Sequence, residues 1–210
     1  MTKIMTPSET GITTGQIGKI QEVLGAALRK SGFQSEPVQQ VLETQGDSLA
    51  AELIAVVRKR VEAVSNVIVR HVKVDRSQMP QQVLNATGRK QYTTQSVVDA
   101  MPRGEEDEGD VVFFKPRPES YDKNGLISDD NLEKEFEFYG LKPCDPYKLS
   151  KVNTDDPAFA DKHPNATHWK DENNNWCYTA FYRWYDERRV YVDRHDHDWY
   201  DHWWFAGLRK

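Results

Sequence analysis

The residues best suited to chemistry lie near the C-terminus, where three histidines and three aspartates fall between positions 195 and 202. His195 and His197 are separated by one residue, and His202 follows five positions later. In an extended segment, a His-x-His pair points both imidazoles to one side, and a third histidine or a carboxylate can complete a zinc or other transition-metal site. These three histidines are the candidate metal ligands of a metal-dependent enzyme. The same residues also fit a simple polar turn.

A second candidate site is the aromatic segment that precedes the histidines. All six tryptophans lie between 167 and 208, and the segment 176–184 is rich in rings, which favours a strand. Side chains alternate across a strand, so every second residue of this segment shares a face, and a hairpin partner adds its own residues to that face. The candidate ligand-binding residues are therefore Trp176, Tyr178, Tyr182, Trp184, Arg189 and Tyr191.

This face predicts binding of a carbohydrate or another flat small molecule, or contact with a protein. A structural role for the rings is the simpler alternative. Burying about 150–250 Å² per ring at roughly 25 cal/mol per Å² stabilises a small sheet considerably. The opposite face of the segment, with Cys177 and Phe181, is predicted to belong to the core.

Polar breaks divide the aromatic region into four predicted arms, at 167–170, 176–184, 189–193 and 199–206. A turn centred on residues 186–187 pairs Tyr182 with Tyr191 and leaves the valines of the third arm beside Phe181. A slip of one residue would exchange the two faces, so the turn decides which rings meet.

The elements that precede this region are helical at first. Apolar residues recur at helical spacing from Thr14 to Gly32, from Ser35 to Gly46 and from Asp47 to Ser65. Three amphipathic helices predict a small bundle or an oligomerisation arm. A DNA-reading helix-turn-helix is the alternative, with the basic run 58–60 on phosphates, but such readers contact bases through the start of the recognition helix.

Downstream, alternation predicts a strand at 67–75, and a short apolar run predicts a buried strand at 111–114, with short helices at 80–87 and 94–101 between them. Ser128 is a typical N-cap for a further helix. The predicted fold class is therefore α+β: an N-terminal three-helix segment, then a mixed domain with a C-terminal antiparallel β-meander flanked by short helices.

The predicted organisation has three parts: a flexible N-terminus at 1–13, a helical segment at 14–66, and an α+β domain at 67–210 whose aromatic antiparallel sheet covers 167–208. Two cysteines, Cys144 and Cys177, are expected to be free thiols, because one pair does not make a disulfide scaffold in a chain of 210 residues.

Charge and hydropathy limit the classes of partner. Residues 105–210 hold 15 basic and 24 acidic side chains, which argues against binding to nucleic acid phosphates. No apolar run approaches the roughly 20 residues that span a bilayer, and the first residues lack the apolar core of a secretory signal. We expect a cytoplasmic protein without a membrane partner or a cofactor.

Several short motifs in the second half resemble a group of uncharacterised bacterial proteins. They are Asp145-Pro146-Tyr147, Asp156-Pro157-Ala158-Phe159-Ala160-Asp161, His163-Pro164-Asn165, Thr167-His168-Trp169 and the ending Trp203-Trp204-Phe205-Ala206-Gly207-Leu208-Arg209-Lys210. The resemblance covers most of the chain. It implies a bacterial origin and no particular activity.

The sequence therefore leads to one hypothesis and two alternatives. The hypothesis is a non-enzymatic interaction or assembly protein, with the N-terminal helices binding a second copy or a protein partner and the aromatic face as a second contact surface. The alternatives are the flat-ligand site and the metal-dependent enzyme described above, and no catalytic residue is assigned.

Overall fold

A computed structural model describes residues 12–62 and 66–210, the side chains of Lys59 and Glu62 excepted. Residues 1–11 of the predicted flexible N-terminus and 63–65 of the third predicted helix lie outside the described residues. The chain divides into two compact units, Met1–Val64 and Ser65–Lys210, each of which is described by itself.

The described residues of the first unit form two helices, α1 (Thr14–Lys30) and α2 (Ser35–Glu62). Thr13 begins α1 with a capping box, in which its hydroxyl accepts a hydrogen bond from the Gln16 amide at 3.2 Å and Gln16 Oε1 accepts one from the Thr13 amide at 2.8 Å. A kink at Gln45, with φ −137°, interrupts α2 one residue before Gly46. The second and third predicted helices are thus two arms of one kinked helix.

The helices and strands of the second unit alternate along the chain. Its helices are α3 (Pro80–Ala86), α4 (Gln95–Asp99), α5 (Asp129–Phe138), α6 (Pro146–Asp155) and α7 (Phe159–Lys162), with a 3-10 turn at Pro118–Ser120. Its strands are β1 (Val67–Lys73), β2 (Lys90–Thr93), β3 (Glu108–Phe114), β4 (Leu126–Ile127), β5 (Leu141–Pro143), β6 (Asn165–Lys170), β7 (Trp176–Trp184), β8 (Glu187–Arg194), β9 (Trp199–Tyr200) and β10 (Trp204–Arg209). The predicted α+β class is confirmed.

Eight strands form one sheet. Seven of them follow the order β1-β3-β10-β6-β7-β8-β2, and the eighth, β5, pairs with the end of β10, on the same edge of β10 as β6. β4 and β9 make a separate two-stranded sheet. The antiparallel arms β6, β7 and β8 agree with the predicted meander. The last predicted arm differs, because it splits into β9 and β10, and β10 returns to pair in parallel with β6.

The position of β10 follows from its composition. Phe205 and Ala206 are completely buried, so this strand needs neighbours on both edges and helices on both faces. The edge of β8 that the fourth predicted arm would have used is occupied by β2, a short strand that the sequence did not predict.

The β7–β8 hairpin turns one residue earlier than predicted. Trp184 pairs with Glu187 and Tyr182 pairs with Arg189, so the predicted pair of Tyr182 with Tyr191 is wrong by two positions. A shift of two residues preserves the faces, because side chains alternate with a period of two. Phe181 lies opposite Val190 in the core, and the division into a core face and an aromatic face is confirmed.

Both faces of the sheet are covered. Helices α3, α4, α6 and α7 pack on the first face, around Phe113, Phe181 and Val190. On the second face, α5 contributes Leu132 and Phe136 to a cluster of ten buried residues with the sheet. None of the described helices is both long enough and apolar enough to cross a lipid bilayer.

Tyr185, the first residue of the two-residue β7–β8 loop, has φ +53° and is 85 % exposed. A left-handed backbone costs an L-residue about 1 kcal/mol, and asparagine tolerates it better than tyrosine. We expect Tyr185→Asn to raise the free energy of unfolding by up to about 1 kcal/mol in a urea titration. Asp186→Asn, at the next position without a positive φ, is the control and is expected to change little. A loss of stability in Tyr185→Asn would contradict the argument.

Candidate functional site

A cleft of 520 Å³ lies over the second face of the sheet, between strands β7 and β8 and the segment 195–203. Seven aromatic rings line it: Tyr178, Tyr182, Trp184, Tyr191, Trp199, Tyr200 and Trp203. Arg183, Asp198 and three histidines add polar groups. This volume is within the range of about 300–1,000 Å³ that small-molecule sites occupy.

The rings of this aromatic cleft pack edge to face. Trp199 meets Tyr178 at 5.4 Å between centroids with an interplanar angle of 89°, and it meets Trp203 at 5.6 Å and 80°. Trp203 also meets Tyr182 at 5.6 Å and 81°. Trp199 is buried at the base, whereas Trp184 is 53 % exposed at the rim. The cleft therefore has a rigid base and an open edge.

Four of the six predicted ligand-binding residues line the cleft, namely Tyr178, Tyr182, Trp184 and Tyr191. Trp176 lies outside it, stacked on the His168 ring at 4.5 Å. Arg189 also lies outside, because its guanidinium is bound to the Glu187 carboxylate at 2.5 Å and rests on the Tyr92 ring.

Behind the cleft, the carboxylate of Asp129 is buried at the start of α5 and accepts three hydrogen bonds. The donors are His168 Nδ1 at 2.6 Å, His195 Nδ1 at 2.5 Å and Trp199 Nε1 at 2.8 Å. Glu133 is four residues further along the same helix, hence on the same side, and it contacts His168 Nε2 at 2.7 Å. We call Asp129, Glu133, His168 and His195 the His–Asp cluster.

His168 carries a positive charge in this cluster. Both of its ring nitrogens face carboxylates, and only the imidazolium has two N–H donors. Burial by itself would lower the pKa of His168, but the hydrogen bonds to Asp129 and Glu133 raise it above its ordinary value. Burial would likewise raise the pKa of Asp129, yet the bonds from His168 and His195 hold it below its ordinary range.

His195 connects the cluster to the cleft. Its Nδ1 donates to the ionised Asp129, so in the neutral ring Nε2 is the acceptor. His195 lines the aromatic cleft and stacks on Trp199 at 4.2 Å between centroids. A carboxylate that fixes the tautomer and orientation of an imidazole in this way prepares the second nitrogen for a ligand.

The predicted metal ligands do not converge. His195 and His197 have centroids 4.9 Å apart, but the Nδ1 of exposed His197 bonds to Asp196, and His202 instead stacks beside Tyr200. Across 12–62 and 66–210, no group of three or more histidine, cysteine, aspartate or glutamate side chains is arranged to hold a metal ion.

Cys144 and Cys177 are both free thiols, as the sequence predicted, and both are buried, which the sequence predicted for Cys177 alone. Burial raises the pKa of each thiol, well above its ordinary value for Cys144. Because the thiolate is the reactive form, neither cysteine is suited to nucleophilic chemistry.

Sequence reasoning missed the residues that close the site. Trp199 and Trp203 belonged to a predicted strand, and Asp129 simply follows Ser128, the predicted N-cap of a helix. His168 is 39 residues from Asp129 and His195 is 66 residues from it, so no local spacing reveals the cluster. The one local signal is the pair Asp129 and Glu133 at helical spacing on α5.

Comparison of the chain with models of protein families, with curated proteins and with solved structures found no match. The resemblance to uncharacterised bacterial proteins therefore brings no activity with it.

The charge on His168 makes stability depend on pH. Because its folded pKa is raised, its contribution is complete below the unfolded value near 6.5 and is lost as pH rises through the folded pKa. We expect His168→Gln to cost about 3 kcal/mol at pH 6, since it leaves two carboxylates without their partner, and to cost less at higher pH. Urea titrations at pH 6 and at higher pH measure the cost of the substitution and its dependence on pH.

Exposed His71, whose pKa is raised by hydrogen bonds to Asp110 and Glu108, is the matched control. In about 1 M NaCl the Debye length falls to roughly 3 Å, which screens surface pairs but not buried ones. His71→Gln should then resemble the wild type. An equal pH slope in His168→Gln and the wild type under these conditions would exclude the assigned charge.

Proposed function

We propose that this chain is a non-enzymatic binding protein whose second unit holds a flat ligand, such as a sugar ring, in the aromatic cleft. The observation that carries the proposal is the cleft itself, a 520 Å³ space lined by seven rings and open at the Trp184 edge. Sites that hold small molecules are typically concave and mostly apolar, with a few polar groups that orient the ligand.

The chemistry of the lining favours a sugar among flat ligands. The C–H faces of a pyranose pack on aromatic rings, and its hydroxyl groups need partners that both donate and accept hydrogen bonds. His195 Nε2 supplies an acceptor from the wall, Asp198 supplies a carboxylate, and the Tyr200 hydroxyl supplies a donor. The ligand would therefore be gripped by rings and oriented by these three side chains.

Burial in the core accounts for only part of the ring set. Trp199 belongs to the second buried cluster, and Tyr178, Tyr191 and Trp203 pack against it, so these four rings stabilise the fold. Trp184 and Tyr200 are more than half exposed, so the sheet does not require them for its core. Exposed rings at the rim of a cavity are the signature of a contact surface.

Trp184→Ala tests the cleft, because this ring lines the space and is exposed enough to remove without unfolding the sheet. We expect the affinity for sugars that bind the wild type to fall about tenfold, or ~1.4 kcal/mol, in isothermal titration. Tyr185→Asn is the matched control, since Tyr185 is the adjacent exposed ring and does not line the cleft.

The titration uses a panel of monosaccharides and oligosaccharides, with flat heteroaromatic compounds as a second arm. If only the heteroaromatic compounds bind, the cleft remains the proposed binding site, and the proposed ligand class changes from sugars to flat heteroaromatic molecules. Equal affinity in Trp184→Ala and Tyr185→Asn would reject the cleft as the binding site.

A second function, self-association through the first unit, is favoured by two observations. No residue of α1 is buried, and Ile17, Ile20, Leu24 and Leu28 keep between 37 and 50 % of their surface exposed. In α2, Glu36, Glu43, Asp47 and Glu52 precede the basic run 58–60. An antiparallel second copy would place acidic residues against basic ones and cover the apolar stripe.

Ile20→Glu tests this second function by placing a charge in the apolar stripe of α1. We expect sedimentation equilibrium to show weaker self-association than in the wild type, because burial of an unpaired carboxylate is costly. Gln21→Glu introduces the same charge at the next, exposed position and is the control. A wild type that remains monomeric at high concentration would eliminate self-association.

A further inference from the structure

A second cavity, of 510 Å³, shares no lining residue with the aromatic cleft. It lies where β5 and the first turn of α6 meet the end of β6 and the start of β7. Pro143, Trp169, Trp176 and Leu208 give it an apolar wall, and charged side chains surround this wall.

Lys148, in the first turn of α6, lines this cavity with a side chain that is only 1 % exposed. Among the described residues, the single ionic contact of its ammonium is with Glu106 at 3.6 Å, and Glu106 itself is 81 % exposed. That distance is longer than a normal hydrogen bond. An ammonium has three N–H donors and is costly to bury unless acceptors surround it. The cavity therefore contains a buried cation that needs an acceptor.

Trp169 supplies a second donor in the same wall. Its indole N–H is buried and has no hydrogen-bond partner within the part of the chain that the structure describes. Buried polar groups are paired in the great majority of folded proteins. This cavity therefore combines an indole N–H that has no acceptor with a buried ammonium whose carboxylate partner is 3.6 Å away, and both features indicate a ligand with acceptor oxygens.

The charges of the lining favour a singly charged anion. Asp145 is paired with Arg76, whose nitrogens lie 2.7 and 3.1 Å from its oxygens, and Glu133 is paired with His168, which it shares with Asp129. The remaining charged side chains of the lining are Lys142, Lys148, Lys170, Glu105 and Glu106. Counted over the lining, four carboxylates face three lysines and the imidazolium of His168, so no excess of positive charge favours a phosphate dianion over a monoanion held by Lys148.

We propose that this cavity binds a small organic monocarboxylate with an apolar body. The carboxylate accepts hydrogen bonds from Lys148 Nζ, the Trp169 N–H meets a further acceptor of the ligand, and the apolar body packs on Pro143 and Leu208. The site is independent of the sugar proposed for the aromatic cleft, since the two cavities have different walls.

The experiment is a calorimetric titration of the full chain with hexanoate and with its neutral isostere hexanamide. We expect hexanoate to bind at least tenfold more tightly than hexanamide, because only the acid carries a negative charge that can pair with the Lys148 ammonium. An aliphatic acid has no flat ring, so Trp184→Ala in the aromatic cleft should leave its affinity unchanged. This arm separates failure here from failure of the proposed function.

Lys148→Met keeps an unbranched side chain, one heavy atom shorter than lysine, and removes its charge, so it should reduce hexanoate affinity to that of hexanamide. Lys151→Met is the matched control, because Lys151 is on the same helix, pairs with Asp155 and does not line the cavity. Trp169→Phe removes the indole N–H together with the five-membered part of the ring system and should weaken hexanoate by a smaller factor, which gives a second test if Lys148→Met does not fold.

Three outcomes would overturn the proposal and leave water as the partner of the ammonium. They are equal binding of acid and amide, no binding of hexanoate at millimolar concentrations, and equal affinity in Lys148→Met and Lys151→Met. Tighter binding of inorganic phosphate than of hexanoate would overturn the monoanion assignment. Selective binding of the acid that depends on Lys148 and Trp169 would support it.

Discussion

The buried carboxylate of Asp129 holds the second face of the sheet together. It joins the start of α5 to His168 on β6, to His195 at the end of β8 and to Trp199 on β9. A buried charge is tolerated only where it is paired and hydrogen-bonded, and three donors, with the amides at the N-terminus of α5, satisfy that condition. The aromatic cleft depends on this contact, because the segment that forms its outer wall begins at His195.

The order of importance among the cluster members follows from their partners. Loss of His168 leaves Asp129 and Glu133 facing each other without a cation, whereas loss of His195 leaves Asp129 with two of its three donors. Trp199 contributes both an N–H donor and a ring at the base of the cleft, so it couples charge to packing. In this part of the molecule, the same contacts therefore stabilise the fold and form the candidate site.

Local patterns predicted those parts of the fold that are set by near neighbours. Alternation identified β1, a short apolar run identified β3, a high content of aromatic residues identified β7, and the Ser128 cap identified α5. β2 was missed because four residues between two short helices show too little periodicity, and its pairing with β8 is far along the chain. The hairpin pairing was displaced by two positions because Tyr185 adopts a backbone conformation that its residue type disfavours.

In the candidate site as well, local patterns predicted some residues, whereas contacts between distant residues determine the others. The rings of β7 and β8 could be placed on one face from alternation alone, and four of them line the cleft. Its remaining wall could not be foreseen, since Trp199 is positioned by a carboxylate 70 residues away. Lys148 showed no signal in the sequence, because a lysine in the first turn of a helix is normally solvated, and only the tertiary packing of α6 buries it.

The central place of β10 has a consequence for how the chain folds. This strand follows every other strand in the sequence, yet it lies between β3 and β6 and also completes the edge of β5. During translation, the parts β1-β3 and β6-β7-β8 stay separate until β10 emerges from the ribosome. Until then, backbone hydrogen-bonding groups at their edges have no partner strand. Contacts of such long sequence separation make folding slow and leave open strand edges exposed to aggregation in the interval.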